Sequence, residues 1–296
     1  MLLIQFNKHM KSYIFLIIGW FAFLSASSTP ITNSPTFDDE PLEDQSVCDL
    51  SNGTFQVGEK ATYNVYYNWT AVWMNAGKAT FEVKSNLLNG KQVYHVVSDG
   101  RTHRTFDWFY KVRDRYETYI DPATLKPLKF VRDVNEGGFT INHLYSFDHK
   151  KKEALILYHK RKGKIQVENK TVSITNCTQD LLSAVYAARC IDYSTMTKGD
   201  VFNVELFLDG AIYPVHARYL GKEVIKTEFG KFRCVKFAPL LLEGDVFKGG
   251  EAMTVWVTDD ANRLPLYVES PLSVGYVKVY LTDFSGLRNP MDAKVK

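Results

Sequence analysis

Two stretches hold residues able to do acid–base chemistry. In YHVVSDGRTH (residues 94–103), His95, Asp99, Arg101 and His103 share one strand parity, so imidazole, carboxylate and guanidinium groups would line one face. The same row reads equally as the wetted outer face of a half-buried strand. In DWFYKVRDRYETYI (residues 107–120), Asp114 shares parity with Trp108, Tyr110, Val112, Tyr116 and Ile120. A carboxylate in an aromatic row has its pKa raised unless arginine or backbone donors meet it. It is then either a structural aspartate bonded to a nearby Arg or Tyr, or a polar anchor inside a ligand cavity. WTAVWMNAG (residues 69–77) adds Trp69, Trp73 and Met74. With Phe106, Trp108, Phe109 and Tyr110, these rings would line an apolar concavity suited to an acyl chain, or else form the core itself. The candidate ligand-binding set is therefore Trp69, Trp73, Trp108, Tyr110, Asp114 and Tyr116, and no residue is assigned a catalytic role.

Several chemistries leave no trace. There is no G-x-S-x-G elbow, no H-E-x-x-H, no phosphate-binding G-x-x-x-x-G-K-S/T and no Rossmann glycine run. The four cysteines, Cys48, Cys177, Cys190 and Cys234, lack close C-x-x-C pairing and no histidine stands at zinc-finger spacing, so neither a metal nor a cofactor is expected. In an exported chain four cysteines imply two disulfides. A helix over residues 178–190 would hold Cys177 and Cys190 roughly 20 Å apart at about 1.5 Å per residue, beyond bridging range. Cys48 is then free to pair with either, leaving Cys234 for the other, and free thiols stay open.

The elements that must position these groups are strands. Tyr63, Val65, Tyr67 and Trp69 alternate with polar neighbours, as do Ala79, Phe81 and Val83, and again Phe139, Ile141, Tyr145 and Phe147. Turn signals at LLNGK, NEGG, DHKKK and KRKGK separate them at spacings that favour antiparallel hairpins. The basic loops 149–152 and 159–164 are expected at opposite ends of the sheet. TQDLLSAVYAARC predicts the one helix, with Leu181, Ala184, Val185 and Ala188 on one face, Thr178 as its cap and Asp180 near the positive end of its dipole. Such a short, one-sided helix must lie against a curved sheet.

The chain also writes one turn twice. TYIDPATLKPLKFV (residues 118–131) and WVTDDANRLPLYV (residues 256–268) each place an aspartate six positions before a proline followed by leucine. Gly58–Glu59 and Gly199–Asp200 introduce strands 63 and 60 residues before those turns. The pattern predicts two related halves about 138 residues apart, near 55–175 and 191–284, joined by the helix.

Residues 1–27 read as a signal peptide: Lys8 and Lys11 precede the apolar run YIFLIIGWFAFLSA, which ends among small residues. KSYIF after Met10 makes that methionine the more typical start. An uncleaved membrane anchor is the alternative. Residues 28–54, with three prolines, six acids and no Lys or Arg, read as a disordered acidic tail. Residues 55–296 form a single β-rich domain in which 34 basic residues meet 27 acidic ones, a balance of +7. That mildly favours anionic partners such as lipid headgroups or acidic polysaccharide and gives no nucleic-acid footprint.

The ordered set FQVGEKATYNVYYNW, AGKATFEV, FDWFYKVRDRYETYIDPATLKPLKF, QDLLSAVYAAR and VWVTDDANRLPLYVES resembles the exported bacterial family catalogued as domain-of-unknown-function family 3108. The resemblance implies an envelope protein of antiparallel β structure without an assigned activity, so it transfers no catalytic residue. More loosely, strands curling around a helix are similar to half-barrels that carry lipoproteins or bind lipids. The expectation is an all-β, curved antiparallel sheet or half-barrel with one packed helix. Its expected role is an exported, periplasmic, non-catalytic binder of a lipid or other apolar or amphipathic envelope component, in peripheral contact with a membrane. A hydrolytic enzyme, a carbohydrate-binding module and an assembly module are the alternatives.

Overall fold

A computed structural model describes residues 45–46, 48, 50–68, 72–161, 165–240, 250–272 and 275–295. The signal peptide, most of the acidic segment and Trp69 lie outside them. The first half contains β1 (Gln45–Ser46), β2 (Lys60–Asn68), β3 (Trp73–Leu88), β4 (Lys91–Thr102), β5 (Val112–Ile120), β6 (Pro127–Glu136), β7 (Phe139–Asp148), β8 (Glu153–Arg161) and β9 (Ile165–Ser173). The short β10 (Thr178–Gln179) leads into α1 (Leu181–Arg189). The second half follows as β11 (Val201–Leu208), β12 (Ala211–Thr227), β13 (Gly230–Pro239), β14 (Thr254–Thr258), β15 (Pro265–Pro271), β16 (Tyr276–Ser285) and β17 (Lys294–Val295).

From β2 to β9, and from β11 to β16, each strand pairs antiparallel with the next, and β16 joins β2. The result is one large curved sheet, not closed into a barrel. It is mixed, because β1 and β10 both pair parallel with β11. Alternating burial along β2 (eBiBiBiBi) and β5 (BiBiBiBiB) shows why the period-two pattern works: one face turns to the core and the other to water. The β7–β8 turn (Asp148 opposite Glu153) and the far end of β8 (Thr140 opposite Arg161) lie at opposite ends of the sheet.

The two halves repeat the same strand order: β2–β7 and β11–β16 are six-stranded meanders whose second strands are the long ones, 16 and 17 residues. Their entries match in backbone detail. Gly58 N–H donates to Val83 O and Val83 N–H to Glu59 O; Gly199 N–H donates to Tyr219 O and Tyr219 N–H to Asp200 O. The repeated turns match as well. Pro127 and Pro265 open the return strands after a register shift, and the residue two before each proline, Leu125 or Arg263, is left-handed at φ 56° or 46°. The second turn is one residue longer, so Asp260 rather than Asp259 does the capping, accepting from Asn262 and Arg263 N–H as Asp121 accepts from Ala123 and Thr124.

The helix departs from expectation in two respects. Its N-cap is Asp180, whose Oδ1 accepts from Leu182 and Ser183 N–H at 2.8 and 2.9 Å, while Ser183 Oγ accepts from Asp180 N–H at 2.8 Å. Thr178 instead belongs to β10, where its Oγ accepts from Thr175 N–H. Nor is the helix one-sided, since every residue from Leu181 to Arg189 except Ala188 is buried. The curved sheet encloses it. Thr118 of β5 donates to Asp180 Oδ2 at 2.5 Å, and Arg189 makes a two-point ion pair with Glu59 at 2.6 and 2.9 Å.

The described residues of the acidic segment, 45–46, 48 and 50–54, are tied to the domain. Cys48 is bridged to Cys177, with Cα atoms 5.0 Å apart, β1 pairs with β11, and Thr54 and Phe55 are buried. A covalent tie overrides the low apolar content that made this stretch look disordered. The second expected bridge is absent: Cys190 and Cys234 are free thiols.

Candidate functional site

The sheet offers three places where side chains converge. The first is polar and largely buried. On the inner faces of β5, β6 and β7, strand parity points Asp114, Tyr116, Arg132, Glu136, His143 and Tyr145 into the core, all at most 5% exposed. Register sets Tyr116 opposite Arg132 and Val112 opposite Glu136, so Asp114 lies diagonally between Arg132 and Glu136. Asp114 Oδ1 accepts from Asn135 N–H at 3.1 Å. Asp114 Oδ2 and Glu136 Oε1 lack a well-formed hydrogen bond, although the Tyr110 hydroxyl bears on the Glu136 carboxyl. Two facing acceptors are reconciled by a shared proton. Burial first, and only then the charge of its neighbour, pushes Glu136 well above the usual carboxylate range; burial pushes Asp114 up to about 6, against the pull of hydrogen bonds and Arg132. Across the interior, Asp209 in the β11–β12 turn accepts from Arg132 Nη1 at 3.1 Å, and its own N–H donates to the Tyr145 hydroxyl at 3.1 Å. His143 Nδ1 stands 3.1 Å from that hydroxyl and 3.3 Å from the Asp209 carboxylate. The cluster ties both halves together; Asp114, Arg132 and Glu136 are buried, and Asp209 at its edge is 24% exposed.

The second place is apolar. Between α1 and the inner faces of β11 to β14 lies a narrow cleft of about 60 Å³, walled by Ala184, Val185 and Ala188 of the helix, by Val204, Val215, Ala217, Val255 and Val257, and by the rings of Tyr193, Phe202 and Phe237. Facing the helix alanines, Val204, Val215, Ala217, Val255 and Val257 are short, while Tyr193, Phe202 and Phe237 close the rest of the wall. Arg189 touches the cleft but is held by Glu59, so its charge is already matched.

The third is an open groove of about 640 Å³ on the outer face, lined by Lys78, Thr80, Asp99, Arg101, Arg113, Arg115 and Asp133, with Asp114 at its floor. The row beginning at His95 belongs to this face as an ion-pair lattice: His95 Nε2 lies 2.6 Å from Glu117, Arg115 donates to Glu117 at 2.7 Å and to Asp99 at 2.9 Å. His103 contacts Asn75 at 3.1 Å, away from that lattice.

The ligand candidates divide accordingly. Tyr110, Asp114 and Tyr116 come together inside the sheet. Trp73 and Trp108 are on the surface, 39% and 84% exposed. Trp108 left its expected face because residues 103–110 coil into successive turns, with Phe106 N–H bonded to His103 O and Tyr110 N–H to Phe106 O, and a turn does not conserve strand parity. Glu136, Arg132, His143 and Asp209 were not singled out from sequence. Parity alone marks the first two, since Phe130, Arg132, Val134 and Glu136 alternate with Val131, Asp133 and Asn135.

Over residues 62–282 the sequence matches the family described as "Protein of unknown function (DUF3108)". The chain belongs to that family. No curated protein matches its sequence. Among solved structures, this DUF3108 chain is similar to a beta-barrel-like protein of domain of unknown function DUF1849 from Brucella abortus, with 10% identity and a TM-score of 0.52 over 78% of this chain and 98% of that one. A Bacteroides fragilis protein described as exported, with a YmcC-like fold, aligns at 11% identity over 80% of this chain and 99% of its own, with a TM-score of 0.30. At 10% identity the first likeness establishes the barrel-like fold alone. The Cys48–Cys177 bridge of the DUF3108 chain points to export into an oxidising compartment. Among the described residues no helix is long and apolar enough to cross a membrane, and no cluster of His, Cys, Asp or Glu is arranged to hold a metal ion.

Proposed function

We propose that the protein is a non-catalytic, periplasmic binding module that takes the end of an apolar chain, such as the acyl part of an envelope lipid, into the cleft beside α1. The supporting observation is the cleft itself: an apolar wall facing small helix side chains stays dry, and a dry cavity gains by accepting apolar atoms. At about 60 Å³ it receives a chain terminus, and more only if α1 and the valine wall separate. The buried Asp114 and Glu136 pair does not favour the hydrolytic alternative, because hydrolysis requires its acid and base to reach a substrate and water.

Native mass spectrometry of the protein purified from its own envelope tests this. The expected result is copurified acyl material that is lost when Ala188→Trp fills the cleft. An empty parent protein, or an equal load on the variant, would overturn the proposal.

A further inference from the structure

The exposed aromatic side chains are gathered at one end of the molecule. Among the described residues the exposed rings are Trp73, Trp108, Phe139 and Tyr276. Tyr276 pairs with Asn68, and Asn68 with Trp73. Thr102, at the same end of β4, is followed by the turns carrying Trp108. Phe139 begins β7 opposite Glu136, where β6 ends. Because β16, β2, β3, β4, β5, β6 and β7 are successive neighbours, the rings follow a rim roughly 30 Å long at about 4.8 Å per strand. Val72 and Met74 are exposed on the same rim; among the described residues the other large exposed apolar side chains are Val57, Leu87, Leu155 and Val224, none of them a ring.

The rim is built to present its rings. Trp108 is the most exposed, yet its loop is clamped: Arg113 donates to Asp107 at 2.7 and 3.1 Å, Thr102 donates to Asp107 at 2.5 Å, and buried Phe106 packs edge-on to Phe109. Trp73 lies under the Lys278 ammonium, 4.7 Å from its ring centre. Exposed cations stand beside the rings. Arg104 and Lys111 flank the Trp108 turns, and Lys78 and Arg101 face each other across β3 and β4 on the wall of the outer groove.

We infer that this end of the sheet docks on a lipid bilayer bearing anionic headgroups. The four rings enter the interfacial layer, where amphipathic aromatics are most stable, and Lys78, Arg101, Arg104 and Lys111 meet the phosphates. A row of rings strung along successive strand ends suits a broad, flat, deformable surface. A protein partner is usually gripped by a central cluster of anchors instead. The inference stands apart from the cleft, since none of these side chains lines it.

The test is co-sedimentation of the processed protein with vesicles of phosphatidylcholine alone or mixed with phosphatidylglycerol. The parent should partition onto the mixed vesicles, with a blue shift of tryptophan emission. Trp73→Ala with Trp108→Ala should lower partitioning about tenfold or more. Lys78→Glu or Arg101→Glu should lower it about fivefold per cation on mixed vesicles and leave phosphatidylcholine unaffected. Leu87→Ala with Val224→Ala at the opposite end should change nothing. Trp108→Ala alone, at a side chain with almost no packing to lose, decides the matter if the double variant unfolds. Equal partitioning of parent and tryptophan variants would overturn the inference. So would a tryptophan-dependent dimer in sedimentation, or competition by inorganic phosphate or soluble acidic polysaccharide that abolishes vesicle binding.

Discussion

Replacing Asp114 by asparagine should make the protein more stable at alkaline pH while changing little in acid. The folded state raises the Asp114 pKa from 3.8 to about 6, chiefly by burial. A group whose folded pKa exceeds its unfolded value contributes stability that is fully present below the unfolded value and is lost as pH rises through the folded one. The loss therefore runs from about pH 4 to above pH 6. A shift of about two units at roughly 1.4 kcal/mol per unit makes it ~3 kcal/mol, and with only 4% exposure there is little solvent to screen it. Asparagine keeps the acceptor for Asn135 N–H and turns an amide donor toward Glu136 Oε1, so the variant needs no shared proton. The assay is urea unfolding of parent and variant at several pH values, read as the difference between them. That difference cancels the carboxylates whose pKa values are lowered, Asp107, Glu117 and Glu251, which act in the opposite sense. Because Asp114 and Glu136 titrate as a pair, the difference reports their apparent values. A variant equally destabilised at acid and alkaline pH would refute the shared-proton reading.

Two further outcomes follow from the tertiary ties. Glu59→Gln should cost about 3–5 kcal/mol in urea unfolding, because it leaves the fully buried Arg189 without its two-point partner. Cys48→Ser removes a bridge spanning 129 residues and should cost up to about 5 kcal/mol by chain entropy, and peptide mapping of the parent should find Cys48 joined to Cys177. In the same mapping Cys190 and Cys234 should resist alkylation until the protein unfolds, since burial raises both thiols, Cys234 to about 12.

Strand parity made most of the architecture legible before any coordinates, because one wet face and one dry face impose alternation whatever the register. The same rule located Asp114 inside the sheet. It could not name Glu136 as its partner, since that requires knowing that Val112 sits opposite Glu136, a consequence of the β5–β6 register and the bulge before Pro127. Asp209 was further out of reach, as it meets Arg132 across 77 residues and from the other half of the chain. Where the chain leaves strand geometry, parity fails outright, and Trp108 on its coiled turns is the instance. The helix cap illustrates a different ambiguity. Thr178 and Asp180 are both capping residues two positions apart, and the choice was made by Ser183, which completes the reciprocal box only with Asp180.

The two halves pack differently against α1, with about 20 Å³ of space beside Ala61, Tyr63 and Phe81 and about 60 Å³ beside the second half. Both halves share the Gly-acid entry, the long second strand and the left-handed residue before a proline, so their backbones impose the same curvature. Their inner side chains have diverged. The first half spends its interior on large rings and the Asp114, Arg132 and Glu136 cluster, which lock it in place. The second sets Val204, Val215, Ala217, Val255 and Val257 beside Phe202 and Phe237 where it faces α1. The entry acids diverged in step: Glu59 reaches inward to hold Arg189, while Asp200 turns back to accept from Thr197 N–H at 2.7 Å. One end of α1 is fastened to the first half through Thr118 and Asp180; the other is held by both halves, Arg189 pairing with Glu59 and donating to Asn262 O at 3.2 and 3.0 Å while Arg263 donates to Arg189 O at 3.0 Å. With both ends of the helix held, any opening of the cleft should come from movement of the strand wall rather than of α1.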